Sequence, residues 1–498
     1  MRDGLWLAGR ALVAVALMVG FHLLALAVIV GLVLIPVMEV WKLGHIVSYR
    51  LTLACLAGAW FTLVAVVPRW ERFEVSGLKL DPGEHPRLFR ELEAIANKIG
   101  QSMPAEVVLV NRANAFVVQP GGIMGFFSRR VMGIGLPLMQ VLEVRELRAV
   151  LAHEFGHFHG GDTLLVRWIY KTRSAIEVAL AQLSGPLSIP FRIYGTVFLR
   201  ITQAISRHEE YAADALAARV AGAPALVSGL RKLRSTSLAY ELFWKNEVAP
   251  VIRSRLRAPL VTGFSRFLSA PAVQRKVREQ LEQAEDRPAT PYDSHPPLRD
   301  RIAALERLGQ DEPSSKSADE LAASTLLEDV LSAGERLLDR FIPEETRHLF
   351  DDVGWEDLAE RMHVPQWEQL VAEFEPALSV GDVRDLPKLA RNPDLFLVRM
   401  GKRQPQLPTV AQRREVADRY VGAALALLLR RRRFSVLTAP GLPVLLARGE
   451  LALEPFNLLQ RLASDESSAA RWPALCEQYG IAGLNLLGEI AAAKPCRN

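Results

Sequence analysis

His153 and His157 stand four residues apart in the run His153-Glu154-Phe155-Gly156-His157. On a helix that spacing turns both imidazoles to one face, where they can converge on a single ion. Glu154, directly after the first histidine, projects beside such an ion rather than onto it, where it can take a proton from water activated by the metal. The chemistry implied is metal-assisted hydrolysis, with zinc as the ion and Glu154 as the general base. With 10 histidines in 498 residues, a His-Glu-x-x-His run arises by chance on the order of one time in a hundred. A surface helix with a salt-bridging glutamate would share the pattern. Leu147, Val150 and Leu151 argue against it, because they give the preceding turns an apolar face that is built to pack.

A catalytic zinc takes three protein ligands and keeps one position open. The further ligand is sought in Ser206-Arg207-His208-Glu209-Glu210-Tyr211-Ala212-Ala213-Asp214. Glu210 and Asp214 share a helix face, so one can bind the ion while the other orients a histidine from behind. Glu209 points about 100° away around the helix and suits the role less well. His159 and His208 lie nearby in sequence and read as bystanders.

These residues need a scaffold. Glu143 to His159 reads as a helix closed by Gly160-Gly161, Pro86 to Gln101 as an amphipathic helix, Glu106 to Val110 as a strand, and Val131 to Leu136 as a short apolar run. A mixed α and β domain therefore begins after Arg72. Ahead of it, Ala11 to Val37 is apolar apart from His22 and long enough to cross a hydrocarbon core of ~30 Å. Leu51 to Val67 is a second apolar stretch, flanked by Arg50 and by Arg69, Trp70 and Arg72. The expected result is a transmembrane hairpin, with helices at about 11–37 and 51–67. The first run is too long for a signal-peptide core and lacks a cleavage site. Arg2, Arg10, Arg69 and Arg72 on one side, against Lys42 and Arg50 on the other, favour a multi-pass protein with its N-terminus and large C-terminal portion on the cytoplasmic side. His22 is expected to be a neutral imidazole, bonded to a neighbouring helix or snorkelling. From Thr163 to Ile205 the chain is apolar but broken by Glu177, Gln182, Gly185-Pro186, Pro190 and Arg192, which favours amphipathic helices on the membrane or in a core over further spans.

Gly309 to Glu320 has linker composition. It divides the chain into a membrane hairpin (1–72), a catalytic domain (73–308), a linker (309–320) and a helical C-terminal region (321–498) of unassigned role. Within the last, Val421 to Leu429 is too short to span and reads as a buried helix, with Arg430 to Arg433 as its solvated end. Hydrophobic residues at 50% and charged ones at 23% fit a soluble protein carrying a few membrane segments rather than a many-helix transporter. The formal charge of +5, from 60 basic and 55 acidic residues, is too dilute to indicate nucleic acid, and a lipid bilayer is the expected counter-surface. Cys55, Cys476 and Cys496 have neither metal-site nor disulfide-framework spacing.

Taken together, these features resemble the M48 family of metallopeptidases, which includes HtpX-type quality-control proteases and Ste24-type CAAX prenyl proteases. The resemblance rests on a membrane-bound N-terminus, Asn114-Ala115-Phe116, the His153 to His157 run, and Ser206-Arg207 followed by Glu210-Tyr211 and Asp214. Ser294-His295-Pro296-Pro297 followed by Arg301 is similar to the family's His-Pro segment, and the likeness extends over roughly Gly77 to Leu308. It implies an α+β, mainly helical fold of the gluzincin type with a small β-sheet. One Zn²⁺ per chain would be bound by His153, His157 and Glu210, with Glu154 catalytic and Asp214 behind a histidine. Asn114, Ala115 and Phe116 would lie on an edge strand that holds extended substrate, and His295 would stabilise the oxyanion or cap the zinc. The implied substrates are polypeptides, cleaved in membrane-associated quality control or processing. The CAAX branch builds its chamber from more membrane helices than two and is disfavoured. The alternative is a membrane-tethered scaffold or adaptor whose peptidase domain is regulatory or inactive and whose C-terminal region binds a protein partner.

Overall fold

A computed structural model describes residues 2–44, 48–66, 75–119, 129–157, 172–173, 175–177, 180, 185, 188–285, 296–309, 317–379, 381–398 and 409–489. The chain is mainly helical with small sheets, as expected, and forms two compact units. One comprises Met1–Leu238 with Glu279–Phe341, the other Ala239–Arg278 with Ile342–Asn498.

The first unit begins with α1 (Arg2–Leu43) and α2 (Tyr49–Val66). Val15–Lys42 is long and apolar enough to cross a membrane, whereas the apolar part of α2, Tyr49–Val64, is shorter. Leu23, Leu26 and Trp60 are each more than half exposed, and apolar surface left in water costs ~25 cal/mol per Å². His22 donates its Nδ1 hydrogen to the Met18 carbonyl of its own helix, at 2.9 Å, rather than to a neighbour.

Four strands follow: β1 (Leu78–Lys79), β2 (Glu106–Val110), β3 (Ala115–Val118) and β4 (Val131–Gly135), in the order β1-β2-β4-β3. β2 and β4 are parallel, Glu106 facing Val131 and Val110 facing Gly135, while β3 runs antiparallel to β4 at one edge. The apolar run Val131 to Leu136 is thus split, its last residue opening the next helix. At Gly135 a Cβ would collide with the Arg112 carbonyl, so only glycine lets the turn into β3 pass so close.

The helices of this unit are α3 (Pro86–Ile99), α4 (Leu136–Val141), α5 (Val144–Gly156), α6 (Ser188–Ala221) and, as far as Leu238, α7 (Ala223–Phe243). α3 buries Leu88, Leu92, Ile95 and Ile99 on one stripe and stops at Gly100, whose φ of 75° suits glycine. The start of α6 packs on α1: Phe191 and Phe198 are buried with Met18, Phe21 and Ala25. Tyr194 donates to the Leu17 carbonyl at 2.6 Å. Much of the 163–205 stretch lies outside the described residues; its later part is this helix.

The unit closes with α8 (Leu298–Arg307) and α9 (Val330–Leu338). Composition places a linker at 309–320, but residues 317–323 are engaged with α4 and α5. Val144 N–H donates to Leu321 at 2.9 Å, Ala323 N–H donates to Leu142 at 2.8 Å, and Arg148 bridges Glu91 and Asp319. Ala323, Leu327 and Leu337 are buried there, which supplies the apolar contact that polar linker composition conceals.

The second unit is organised around the helix Val410–Arg431, whose Val421 to Leu429 stretch is buried against Trp472, Tyr479 and Leu446. Arg430 at its end pairs with Glu360. Its strands Ser435–Leu437, Leu445–Arg448 and Leu451–Leu453 form an antiparallel sheet within a region that periodicity reads as helical throughout. Residues 239–278 belong here too: Trp355 donates its indole N–H to the Pro259 carbonyl at 2.8 Å and sits where a side chain at Gly263 would be.

Gly135→Ala is expected to destabilise the first unit by about 1–3 kcal/mol, the usual result of overpacking. Thermal or denaturant unfolding checks this, and an unchanged midpoint would mean that the turn into β3 yields without cost.

Candidate metal centre

Two helices carry most of the site. α5 starts at a capping box: the Glu143 side chain accepts from the backbone one turn on, and Glu146 accepts from the Glu143 N–H at 2.8 Å. Glu146 is itself buried, a position a carboxylate tolerates only when paired. Ser228 and Lys232 of α7 donate to it, the lysine at 2.8 Å. The start of α5 is thereby tied to α7 by charge as well as by packing.

At its other end α5 meets α6 almost backbone to backbone. A Cβ on Gly156 would lie 3.0 Å from the Ala213 Cα and 3.1 Å from its Cβ. Glycine inside the histidine run therefore permits the approach, and the approach brings residues from two distant parts of the chain to one point. His153 Nε2 lies 3.6 Å from one Glu210 oxygen and His157 Nε2 lies 3.6 Å from the other. One donor atom from each of His153, His157 and Glu210 can be chosen so that all three lie within 4.8 Å of one another. The imidazoles stand edge to face at 84°. His153 and Glu210 are buried, while His157 is about a quarter exposed and opens the cluster on one side. These side chains could hold a metal ion.

Asp214, one turn beyond Glu210 on α6, sits behind His153, whose Nδ1 is 3.0 Å from Asp214 Oδ1. Arg301 of α8 grips the same carboxylate with two hydrogen bonds of 2.8 and 2.6 Å. Burial works to raise the Asp214 pKa, but the bonds from Arg301 and His153 outweigh it and hold the carboxyl below its ordinary value. Burial likewise disfavours the charged guanidinium, yet Asp214 chiefly, with Glu210 and Glu154 adding their charges, leaves Arg301 more firmly protonated than usual. Glu154 is half-buried on α5.

Asn114 immediately precedes β3, and Ala115 and Phe116 lie on that edge strand, which runs against α5. Glu209 is half-buried and His208 exposed on α6. His295 and His159 fall outside the described residues. The partnership of Arg301 was not evident from spacing, although a signal existed. Arg301 stands between Leu298 and Leu305 on the face of α8 that turns inward, where a leucine would be expected. The Glu146–Lys232 pair left no comparable trace, because charged residues at helical spacing ordinarily face water.

An HExxH helix crossed by a helix bearing Glu210 and Asp214, beside a small edge-stranded sheet, defines a class of peptidase domain. Residues 82–308 match the family model described as Peptidase family M48, and the chain carries a domain of that family. Among curated proteins it is similar to Protease HtpX of Acinetobacter baylyi, 24% identical over 275 residues that cover 49% of this chain and 80% of that protein. It is also similar to Protease HtpX of Cellvibrio japonicus, 28% identical over 195 residues covering 35% of this chain and 56% of that one. Protease HtpX homolog of Pyrobaculum aerophilum is 24% identical over 247 residues, covering 45% and 68%. The chain thus spans little more than half the length of some of the relatives it matches. No solved structure matches it significantly.

Because α5 and α6 touch at Gly156, Gly156→Leu should force them apart and separate the imidazoles from Glu210. The expected outcome is loss of stoichiometric metal on purification, measured by atomic emission; a variant that keeps full metal would show that the crossing does not hold the cluster together.

Proposed function

We propose that the chain is a membrane-anchored zinc endopeptidase in which His153, His157 and Glu210 hold one Zn²⁺ and Glu154 is the general base. The convergence of two imidazoles and one carboxylate carries this reading. Donors about 2.0–2.1 Å from a tetrahedral ion stand about 3.3–3.5 Å apart; here each imidazole lies 3.6 Å from a different oxygen of Glu210, and one donor atom per residue gives three atoms within 4.8 Å of one another. Two neutral nitrogens and one oxygen suit zinc. When bound, such an ion lowers the pKa of water and polarises a carbonyl.

Everything else falls to the protein. Glu154 takes the proton of the attacking water and passes it to the leaving amine as the peptide bond breaks. Asp214 accepts from His153 Nδ1, which directs Nε2 toward the cluster. Asn114, Ala115 and Phe116 hold the substrate extended against β3 by backbone hydrogen bonds. His295 is proposed to assist at the oxyanion.

α1 and α2 keep the catalytic unit at a bilayer, with the unit on the cytoplasmic side of a multi-pass protein. Its substrates are polypeptides that reach the membrane surface, in quality control or processing. The resemblance to proteins named Protease HtpX and the apolar span Val15–Lys42 support this role.

Glu154→Gln is expected to retain zinc and to lose cleavage of a casein-type substrate by about 10²–10⁴-fold. Full proteolysis by that variant would refute the base assignment. Chelation should abolish wild-type cleavage and added zinc restore it; a protein with neither stoichiometric zinc nor chelator-sensitive cleavage would be a scaffold instead.

A further inference from the structure

Charge is concentrated beneath the cluster to an unusual degree. Glu210, Asp214 and Arg301 are all buried, and all three meet His153. Buried charges persist only where geometry and hydrogen bonds compensate their lost hydration, so the way Arg301 spends its donors is informative. Both of its short bonds go to Asp214, at 2.8 and 2.6 Å, whereas its nearest approach to Glu210 is 3.5 Å. Asp214 Oδ1 receives the Arg301 Nη2 hydrogen and also faces His153 Nδ1 at 3.0 Å. Arg301 Nη2 and His153 Nδ1 are 3.4 Å apart.

A guanidinium has no acceptor and does not deprotonate. Asp214, held as a carboxylate by Arg301, only accepts hydrogen bonds, so the 3.0 Å contact from its Oδ1 to His153 Nδ1 requires the hydrogen of His153 to be on Nδ1. Its Nε2 lone pair then points to the Glu210 side.

We infer that Arg301 is a positioning residue: by clamping Asp214 with a two-pronged grip it fixes the tautomer and ring orientation of His153 and so tunes the affinity of the cluster for zinc. The inference rests on the zinc reading above. Arg301 acts through Asp214 rather than on the reacting atoms. A lysine could supply the charge but not the fork, because an ammonium cannot engage both carboxylate oxygens with the same planar geometry.

The test uses the full-length protein in detergent, with zinc affinity read by competition against a chromophoric chelator. Arg301→Met and Asp214→Asn should each weaken zinc binding by about 10–100-fold, the usual scale for groups that orient a metal-binding histidine. The double variant should be no weaker than the weaker single, because both changes break one chain of contacts. Zinc binding within twofold of wild type in Arg301→Met, or losses that multiply in the double variant, overturns the inference while leaving the zinc reading intact. A wild-type protein that binds no zinc overturns both. Should Arg301→Met fail to fold, Arg301→Lys carries the test with cobalt(II) as the probe. Weaker binding with altered visible absorption bands is expected, and unchanged affinity with an unchanged spectrum overturns the proposal.

Discussion

Glu210 and Asp214 are buried anions one helical turn apart, and such a pair is stable in a protein interior only when donors or cations face it. Much of the first unit can be understood as meeting that requirement. α5 presents two imidazoles to Glu210, α8 presents Arg301 to Asp214, and His153 touches both acids. The elements that deliver these groups must hold their positions closely, since a buried charge displaced from its partner loses compensation it cannot recover from water. That accounts for the bracing of α5 along its length: the Glu146–Lys232 pair and the Arg148 bridge near its start, and the approach to Ala213 at Gly156.

α6 connects this charged centre to the apolar part of the molecule. Its first turns are buried with α1 through Phe191 and Phe198, and Glu210 follows Phe198 on the same helix by about 18 Å of rise. One helix of 34 residues thus carries both the contacts to α1 and the acids of the cluster.

Residues 317–341 extend the first unit past the end of the family match. They bond to the α4–α5 junction and bury their own leucines, and Arg148 of the histidine-bearing helix depends on Asp319 for one of its partners. Composition alone separates this stretch from the domain because its first residues are polar. Its role emerges once their hydrogen bonds are seen to be made with the protein rather than with water.

The sequence by itself determined the local features: the helix bearing His153, which ends at Gly156 with His157 as its cap rather than running on to His159, the strand Glu106–Val110, the apolar N-terminal helices, and the pairing of Glu210 with Asp214 on one face. Each follows from periodicity or from two residues on one element, which the chain encodes within a few turns. The tertiary structure decided which helix Gly156 touches, that Arg301 faces inward to Asp214, that residues 239–278 join the second unit, and that the C-terminal region contains a sheet. The helix contacts depend on segments far apart in sequence, such as His153 with Glu210 and Arg301 or Gly263 with Trp355, whereas the C-terminal sheet pairs near neighbours such as Leu446 and Leu453. The spacing of Leu298, Arg301 and Leu305 turns Arg301 inward, but nothing local names the carboxylate it will meet, because that depends on what the rest of the fold sets opposite it.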